Sequence, residues 1–266
     1  MHYIKNVVPT FHIIAETKLN EDGVRAFFGK IDPKFYTNLV EKNKVDITDS
    51  EKLVETVGNI CHVIPSDRTQ NNKEYVIGID KSMPNLLRHT SVTIAFNNIS
   101  QTFIDKMHRM HASIEVHQRE LEAEELKFWL LPTYADDKEL AIKFAELFES
   151  YGTLKVKLEN ELAKKGSRNT SKDLESIKRL LPNTYAIDAV ITTNLLVWRD
   201  IIIKYTNLEY DDEIRYILLF LAKTFKQKYA NIFQNLTLIE ESGNIIGLDS
   251  LKQDGKMWRT SRIIVS

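Results

Sequence analysis

Residues 194–215, NLLVWRDIIIKYTNLEYDDEIR, follow a Leu-Leu-Pro sequence at 180–182 and lead into a long apolar helix. Asp211 and Asp212 precede that helix, where carboxylates favour the positive end of the helix dipole. Its apolar residues recur every three or four positions and form one face: Ile214, Ile217, Leu218, Leu221, Phe225 and Tyr229. The stretch therefore predicts a helix that packs one apolar face in the C-terminal half.

A second long helix is predicted upstream of this stretch. It starts at Asp136 and Asp137 and ends before Gly166. Its apolar residues fall on one stripe, made of Leu140, Phe144, Leu147, Phe148, Tyr151, Leu154 and Leu158. Ser171 then begins a further helix that reaches Leu181.

The N-terminal half mixes strands and helices. Residues 11–16 and the β-branched run 90–96 predict strands. Helices are predicted over 20–30 and 48–60, the second with a capping-type pattern that Thr48 to Glu51 meets only in part. The pattern over 100–128 is helical, with an interruption at Ala-Ser-Ile-Glu-Val, residues 112–116.

The C-terminal tail has a different pattern. Residues 236–239 and 262–265 are β-type, around Gly243 and the turn signal Asp254-Gly255. We therefore predict two parts, a domain over 1–235 and an extension over 236–266 that forms a β-hairpin. The fold class is α+β, rich in helices, with few strands.

Composition limits the possible functions. The 266 residues are 43% hydrophobic and 27% charged, enough for a substantial core, and the formal net charge is -1. This balance does not favour binding to a nucleic acid polymer or an anionic membrane. The single cysteine, Cys61, excludes a disulfide within the chain. We find no signal peptide and no apolar run long enough to span a bilayer, so we expect a cytoplasmic protein.

The opening stretch resembles the C-terminal signature of flavin-dependent thymidylate synthases. In that family an Asn leads an arginine-rich helix, and an acidic turn then precedes Glu-Ile-Arg. The matching positions here are Asn194, Trp198, Arg199, Glu213, Ile214 and Arg215. The resemblance extends over residues 11–233 and is best after residue 180.

A central block also resembles the family. Arg88-His89 stands where the family has Glu-His, and Asn98-Ile99-Ser100 where it commonly has Gly-hydrophobic-Ser. The family's Arg-His-Arg motif aligns without a gap with Arg109, Met110 and His111. When two residues are left out after it, the Ser and Arg that follow the motif align with His117 and Arg119.

The resemblance implies an α+β fold with a small antiparallel sheet and long helices, assembled as a homotetramer. It also implies FAD as cofactor, with folate and NADPH, and one-carbon transfer to C5 of a pyrimidine nucleotide by a methyltransferase or hydroxymethyltransferase reaction. The implied cofactor-binding residues are His89, Arg109, His111, Asn194 and Arg199, and the implied substrate-binding residues are Ser113, His117 and Arg119.

Four positions in and near the C-terminal block depart from the family pattern. Asp188 and Leu196 stand where nucleotide-binding arginines are expected, Tyr205 replaces the arginine that polarises the substrate, and Glu209 replaces a histidine. An aspartate at a phosphate site sets one anion against another, which costs several kcal/mol in a partly buried site, on the order of the Coulomb energy. The substrate is therefore expected to differ from plain dUMP.

Alternative interpretations accompany these residues. The lost arginines also suit a catalytically inactive relative that acts as a structural or binding subunit. Tyr205 is either a substituted general acid or a packed tyrosine. His108, His111 and His117, with Glu115 nearby, have ligand types that suit zinc or iron, although their spacing is a weak signal and we predict no metal site.

Overall fold

We describe a computed structural model of the chain, over residues 5–31, 37, 47–62, 84–110, 113–118, 127–128, 137–164, 183–207, 212–241, 244–251 and 257–259. Its α-helices are α1 (Glu21–Ile31), α2 (Asp49–His62), α3 (Gln101–Met110), α4 (Lys138–Lys164), α5 (Leu195–Tyr205) and α6 (Asp212–Lys228). A 3-10 helix spans Pro84–His89. The helix-rich α+β class is confirmed.

The strands form three sheets. They are β1 (Lys5–Asn6), β2 (Thr10–Glu16), β3 (Val92–Ser100), β4 (Glu115–Gln118), β5 (Lys127–Phe128), β6 (Ala186–Thr193), β7 (Leu236–Glu241), β8 (Asn244–Leu251) and β9 (Met257–Arg259). The largest sheet has the order β2-β3-β6-β4, while β1 and β5 form a parallel pair. Strands β7, β8 and β9 form an antiparallel sheet in that order.

The chain divides into two compact units. The first comprises Met1–His12, Ala95–Ile191 and Val265–Ser266, and the second comprises Ile13–Ile94 and Thr192–Ile264. Strands β2, β3 and β6 each pass from one unit to the other along the chain.

In the first unit, α3 begins directly at the end of β3. The Ser100 hydroxyl accepts a hydrogen bond from the Phe103 backbone N–H at 3.0 Å, which satisfies a donor of the first helical turn. The Phe96 ring lies 5.5 Å from the Phe103 ring and 6.1 Å from the Phe11 ring, centroid to centroid. This aromatic group anchors β2, β3 and α3 together.

In the second unit, α1 and α2 have defined starts. Asn20 accepts a hydrogen bond from the Gly23 N–H at 3.0 Å. At α2 the Thr48 hydroxyl accepts from the Glu51 N–H at 3.3 Å, and the Glu51 carboxylate accepts from the Thr48 N–H at 2.8 Å. This reciprocal pair is a complete capping box, where the sequence predicted a partial one. Leu53 packs on the apolar cluster of Leu19, Val24 and Phe28.

The centre of the second unit is aromatic. Phe225 of α6 meets Trp198, Tyr229 and Phe233 edge-on, at centroid distances of 6.1, 5.3 and 5.2 Å. All four side chains are completely buried. Edge-to-face pairs stabilise beyond their buried area, by about 0.5–1.5 kcal/mol each.

Several predicted elements differ from the structure. The helical pattern over 100–128 ends at Met110, and residues 115–118 form β4 instead. Strand β6 has no counterpart among the predicted elements, although its β-branched run before Asn194 is a strand signal. Residues 236–239 of the predicted tail hairpin lie in β7, which pairs with β8. Residues 262–265, Gly166 and the helix predicted over 171–181 lie outside the described residues.

No helix within the described parts of the chain combines the length and the apolar character needed to cross a membrane.

Candidate functional site

The exposed pair Arg88 and His89 ends the 3-10 helix of the second unit. The next residue, Thr90, is buried and joins this turn to α5: its hydroxyl donates to the Leu87 carbonyl at 2.6 Å and accepts from the Leu195 N–H at 3.1 Å. His89 is therefore held one residue from a fixed contact with the start of α5. This places two exposed basic side chains beside the helix that carries Asn194, Arg199 and Tyr205.

Asn194 caps α5. Its side-chain oxygen accepts a hydrogen bond from the Val197 N–H at 3.0 Å, and its backbone is extended, with φ -84° and ψ 164°. The cap satisfies one of the first-turn donors of the helix. The side-chain amide nitrogen takes no part in this bond.

Arg199 lies inside the second unit, with 6% of its surface exposed. Burial lowers the pKa of its guanidinium, and the neighbouring Asp200 carboxylate opposes that shift. Leu196 is also buried, at 7%. Tyr205, the last residue of α5, is half-buried, and the Lys204 ammonium lies 5.0 Å from its ring centroid.

Arg215 closes the connection between α5 and α6. Its Nε donates to the Thr206 carbonyl at 3.3 Å, and its Nη1 lies 3.4 Å from Asp212 Oδ1. The side chain is 2% exposed, and burial lowers its pKa while Asp212 raises it. Arg215 therefore joins the first turn of α6 to Thr206, the residue that follows α5. It is a structural part of the signature.

In the first unit, Asp188 forms a hydrogen bond with the backbone of β3. Its Oδ1 accepts from the Asn98 N–H at 3.0 Å. Asn98 has φ 59°, the one positive value found for a non-glycine residue in the described chain, and its side-chain amide donates to the Val8 carbonyl at 3.5 Å. Glycine and asparagine tolerate this left-handed conformation best, which suits the asparagine found at this position.

Arg109 and His108 are exposed in the last turn of α3, and Ser113 and His117 are exposed further along the first unit. Basic side chains suit the negative end of a helix. His111 and Arg119 lie outside the described residues. The structure thus places His89, Asn194, Arg199 and Tyr205 in the second unit, and Arg109, Ser113 and His117 in the first.

Among the described residues no group of three or more His, Cys, Asp or Glu side chains is arranged to hold a metal ion. Glu115 and His117 lie on β4, whereas His108 lies on α3.

Glu55 of α2 is a titratable group that the sequence prediction missed. It is 7% exposed, and burial raises the pKa of its carboxyl to about 7. Its Oε2 has no hydrogen-bond partner within the described structure. The signal in the sequence is the Glu51/Glu55 pair, four residues apart on the helix face that also holds Val54.

The sequence profile of the family described as thymidylate synthase complementing protein matches residues 43–229, which is most of the chain. The chain belongs to the thymidylate synthase complementing protein family. The match covers the helices and strands from 49 to 228, including every described candidate residue, and it ends before β7, so the C-terminal sheet lies outside it. Membership of this family indicates that the chain is a thymidylate synthase-like protein. No curated protein sequence matches the chain significantly.

Proposed function

We propose that this chain is a divergent flavin-dependent thymidylate synthase-like protein that binds FAD and a pyrimidine deoxynucleotide for one-carbon transfer to C5. Its substrate differs from plain dUMP. The observation that carries the proposal is that the signature residues fall into two groups, those that match the family and those that replace its arginines. Trp198, Glu213 and Arg215 are retained as buried structure, whereas Asp188 and Leu196 occupy positions of the family's nucleotide arginines.

The residues present suit FAD in their chemistry. The FAD diphosphate needs cationic or N–H donors, and an arginine guanidinium binds phosphate by paired, charge-assisted hydrogen bonds. Arg109 is exposed and would bind phosphate, and His89 is exposed and would face the flavin. His111, the Asn194 amide and Arg199 complete the proposed cofactor set; Arg199 has to act from a buried position.

The nucleotide side differs from the family. Ser113, His117 and Arg119 would bind the substrate by hydrogen bonds and charge. Asp188 instead offers a carboxylate, already used by the Asn98 N–H, and Leu196 offers no donor. A phosphate placed as in the family would meet the Asp188 carboxylate, and the two negative charges would repel each other. The favoured substrate therefore carries its negative charge at another position, or carries less negative charge.

Tyr205 is the proposed general acid at the position of the substrate-polarising arginine, because a phenol can donate a proton to a carbonyl oxygen. When bound, reduced FAD supplies hydride, folate the one-carbon unit and NADPH the reducing equivalents. The proposal extends to a cytoplasmic homotetramer, with residues 1–235 as the synthase-like domain and 236–266 as an extension.

The test begins with the visible spectrum of the purified protein, before and after incubation with FAD. We expect flavin absorption that stays with the protein through gel filtration. A colourless protein that also takes up no added FAD would defeat the proposal. Thermal shift with a nucleotide panel then identifies the substrate class, since a ligand that binds only the folded state stabilises it by about 2.7 kcal/mol at a hundredfold excess over Kd.

Two variants test the proposed FAD contacts. Arg109→Ala and His89→Ala should each weaken FAD binding by about tenfold or more, because a hydrogen bond to a charged group contributes about 1.5–3 kcal/mol. Lys138→Ala, which removes an exposed cation from the start of α4, is the matched control and should bind FAD as the parent does. Equal affinity for all variants would show that these two side chains do not hold FAD.

A second candidate function is a catalytically inactive relative that serves as a structural or binding subunit. It is favoured by the same Asp188 hydrogen bond, because that carboxylate stabilises the fold where the family has an arginine for nucleotide. Incubation with deoxynucleotides, FAD, folate and NADPH distinguishes the two. Any turnover excludes the inactive candidate, whereas FAD binding without turnover across the panel favours it.

A further inference from the structure

The turn that carries His89 is closed by the next residue, Thr90. The Leu87 carbonyl accepts two hydrogen bonds from Thr90, one from the backbone N–H at 3.3 Å and one from the hydroxyl at 2.6 Å. Leu87 is 1% exposed and Thr90 is 3% exposed, whereas Arg88 and His89 between them are exposed. The two exposed basic residues are therefore held between two buried residues whose backbones are hydrogen-bonded to each other.

The same hydroxyl ties this turn to the start of α5. A threonine hydroxyl can donate one hydrogen bond and accept others, and here it also accepts from the Leu195 N–H at 3.1 Å. That N–H belongs to the first turn of α5, where backbone donors have no partner within the helix. Asn194 directly precedes it. Measured along this path, the Cα atoms of His89 and Asn194 lie at most about 12 Å apart.

We propose that Thr90 is a positioning residue, whose hydroxyl holds His89 at a fixed distance from the Asn194 amide so that both side chains contact one FAD molecule. This role rests on the proposed function, in which His89 and Asn194 bind FAD. Two groups that contact one rigid ring system bind it best when their separation is set before the ligand arrives. Ordering them during binding would cost conformational entropy.

Neighbouring hydrogen bonds keep the fold intact when the Thr90 hydroxyl is removed. The Ser91 N–H donates to the Thr17 hydroxyl at 2.6 Å, and the Ser91 carbonyl accepts from the Thr17 N–H at 2.9 Å. The Trp198 indole N–H donates to the Val92 carbonyl at 3.3 Å. These bonds use the backbone of Ser91 and Val92, so they do not depend on the side chain at position 90. Valine has the branched shape of threonine, so Thr90→Val removes the bonds of the hydroxyl and little else.

Titration with FAD tests the positioning role. Thr90→Val should weaken FAD binding about fivefold or more, because His89 is no longer held, and should change the visible circular dichroism of the FAD bound at saturation. Thr90→Ser keeps the hydroxyl and should restore both properties. The matched control is Thr56→Val, which should bind FAD as the parent does. Thr56 is 5% exposed, and its hydroxyl donates to the Lys52 carbonyl within α2 at 2.7 Å.

A double-mutant cycle separates positioning from a general loss of stability. In a His89→Ala background, Thr90→Val should have almost no further effect on FAD affinity, since no imidazole is left to position. The same fold-loss in both backgrounds would overturn the proposal, because it would show that Thr90 acts independently of His89. Equal FAD affinity of the parent and Thr90→Val would overturn it as well.

Hydrogen exchange of the Leu195 amide gives a readout that needs no FAD. Thr90→Val should speed this exchange about tenfold or more, because the amide loses its acceptor, whereas Thr90→Ser and Thr56→Val should leave it as in the parent. Unchanged exchange in Thr90→Val would overturn the proposal. A parent that protects Leu195 but binds no FAD would defeat the proposed function, and the role of Thr90 with it. A parent that binds FAD no more tightly than Thr90→Val would defeat the role of Thr90 alone.

Discussion

Glu55 makes stability depend on pH at the scale of a single residue. Its pKa is about 7 in the folded chain, against 4.5 for the free side chain, because burial disfavours the ionised form. The protonated carboxyl therefore makes its full contribution to the free energy of unfolding below pH 4.5. This contribution is lost as pH rises through about 7. The shift corresponds to roughly 3 kcal/mol at 1.36 kcal/mol per pH unit.

Glu55→Gln should remove this pH dependence, since a neutral amide of similar shape has no proton to lose. We expect the variant to gain stability over the parent between pH 5 and 8, by about 2–3 kcal/mol at the upper end. Urea denaturation at several pH values measures the difference, and Glu149→Gln, at an exposed site on α4, is the control. A constant difference between variant and parent across this range would contradict the prediction.

Asn98 offers a test of backbone conformation. Its φ of 59° is easily adopted by glycine and costs about 1–2 kcal/mol for an ordinary side chain. Asn98→Gly and Asn98→Ala both remove the bond to Val8, so their difference isolates the backbone. We expect Ala to be less stable than Gly by about 1 kcal/mol in chemical denaturation. Equal stabilities would mean that the left-handed conformation is not held in solution.

At the scale of the element, α5 depends on its first residue. Asn194→Ala removes the acceptor for the Val197 N–H and should cost about 1 kcal/mol of unfolding free energy. Asn194→Asp keeps the acceptor and should retain most of the stability. If Asn194→Asp is nearly as stable as the parent but binds FAD more weakly in a titration, the Asn194 amide nitrogen contributes to FAD binding. An alanine variant as stable as the parent would show that the cap contributes nothing.

At the scale of the whole molecule, the C-terminal sheet is tied to α6. Leu236 and Leu248 are fully buried, Lys226 donates to the Leu236 carbonyl, and the Lys223 ammonium lies 3.5 Å from Glu240 Oε1. Leu248→Ala should therefore destabilise the second unit, by about 2–5 kcal/mol for a leucine lost from a core.

The measurement is denaturation followed by tryptophan fluorescence in a Trp129→Phe, Trp258→Phe background, where the signal comes from buried Trp198. Leu238→Ala, at a half-buried site on β7, is the control and should cost less. If the Leu248→Ala variant has the same fluorescence midpoint as the parent, residues 236–266 fold independently of α6.

Local signals in the sequence were sufficient for most helices. Asn20, Asp137 and Asp212 mark starts that the structure places within a residue or two of the prediction, because capping and dipole interactions act over one turn. The region 100–128 was mispredicted because a helical period does not reveal that residues 115–118 join β6 in a sheet. Sheet pairing depends on residues distant along the chain.

The sequence could propose candidate site residues but could not give their exposure or their contacts. The sequence indicated Arg199, Asn194 and Asp188 as chemically important types at family positions. It could not show that Arg199 is buried, that Asn194 caps α5, or that Asp188 binds the Asn98 N–H, because each depends on neighbours in space.

The sequence by itself determined the α+β class, the long helices and the family, since periodicity, caps and an ordered signature are properties of the chain read in order. Only the tertiary structure decided which of these residues are used internally. It placed Glu55 and Arg199 in the interior and set Asp188 against a left-handed backbone. Burial and hydrogen bonding are decided by residues that folding brings together, and no local pattern encodes them.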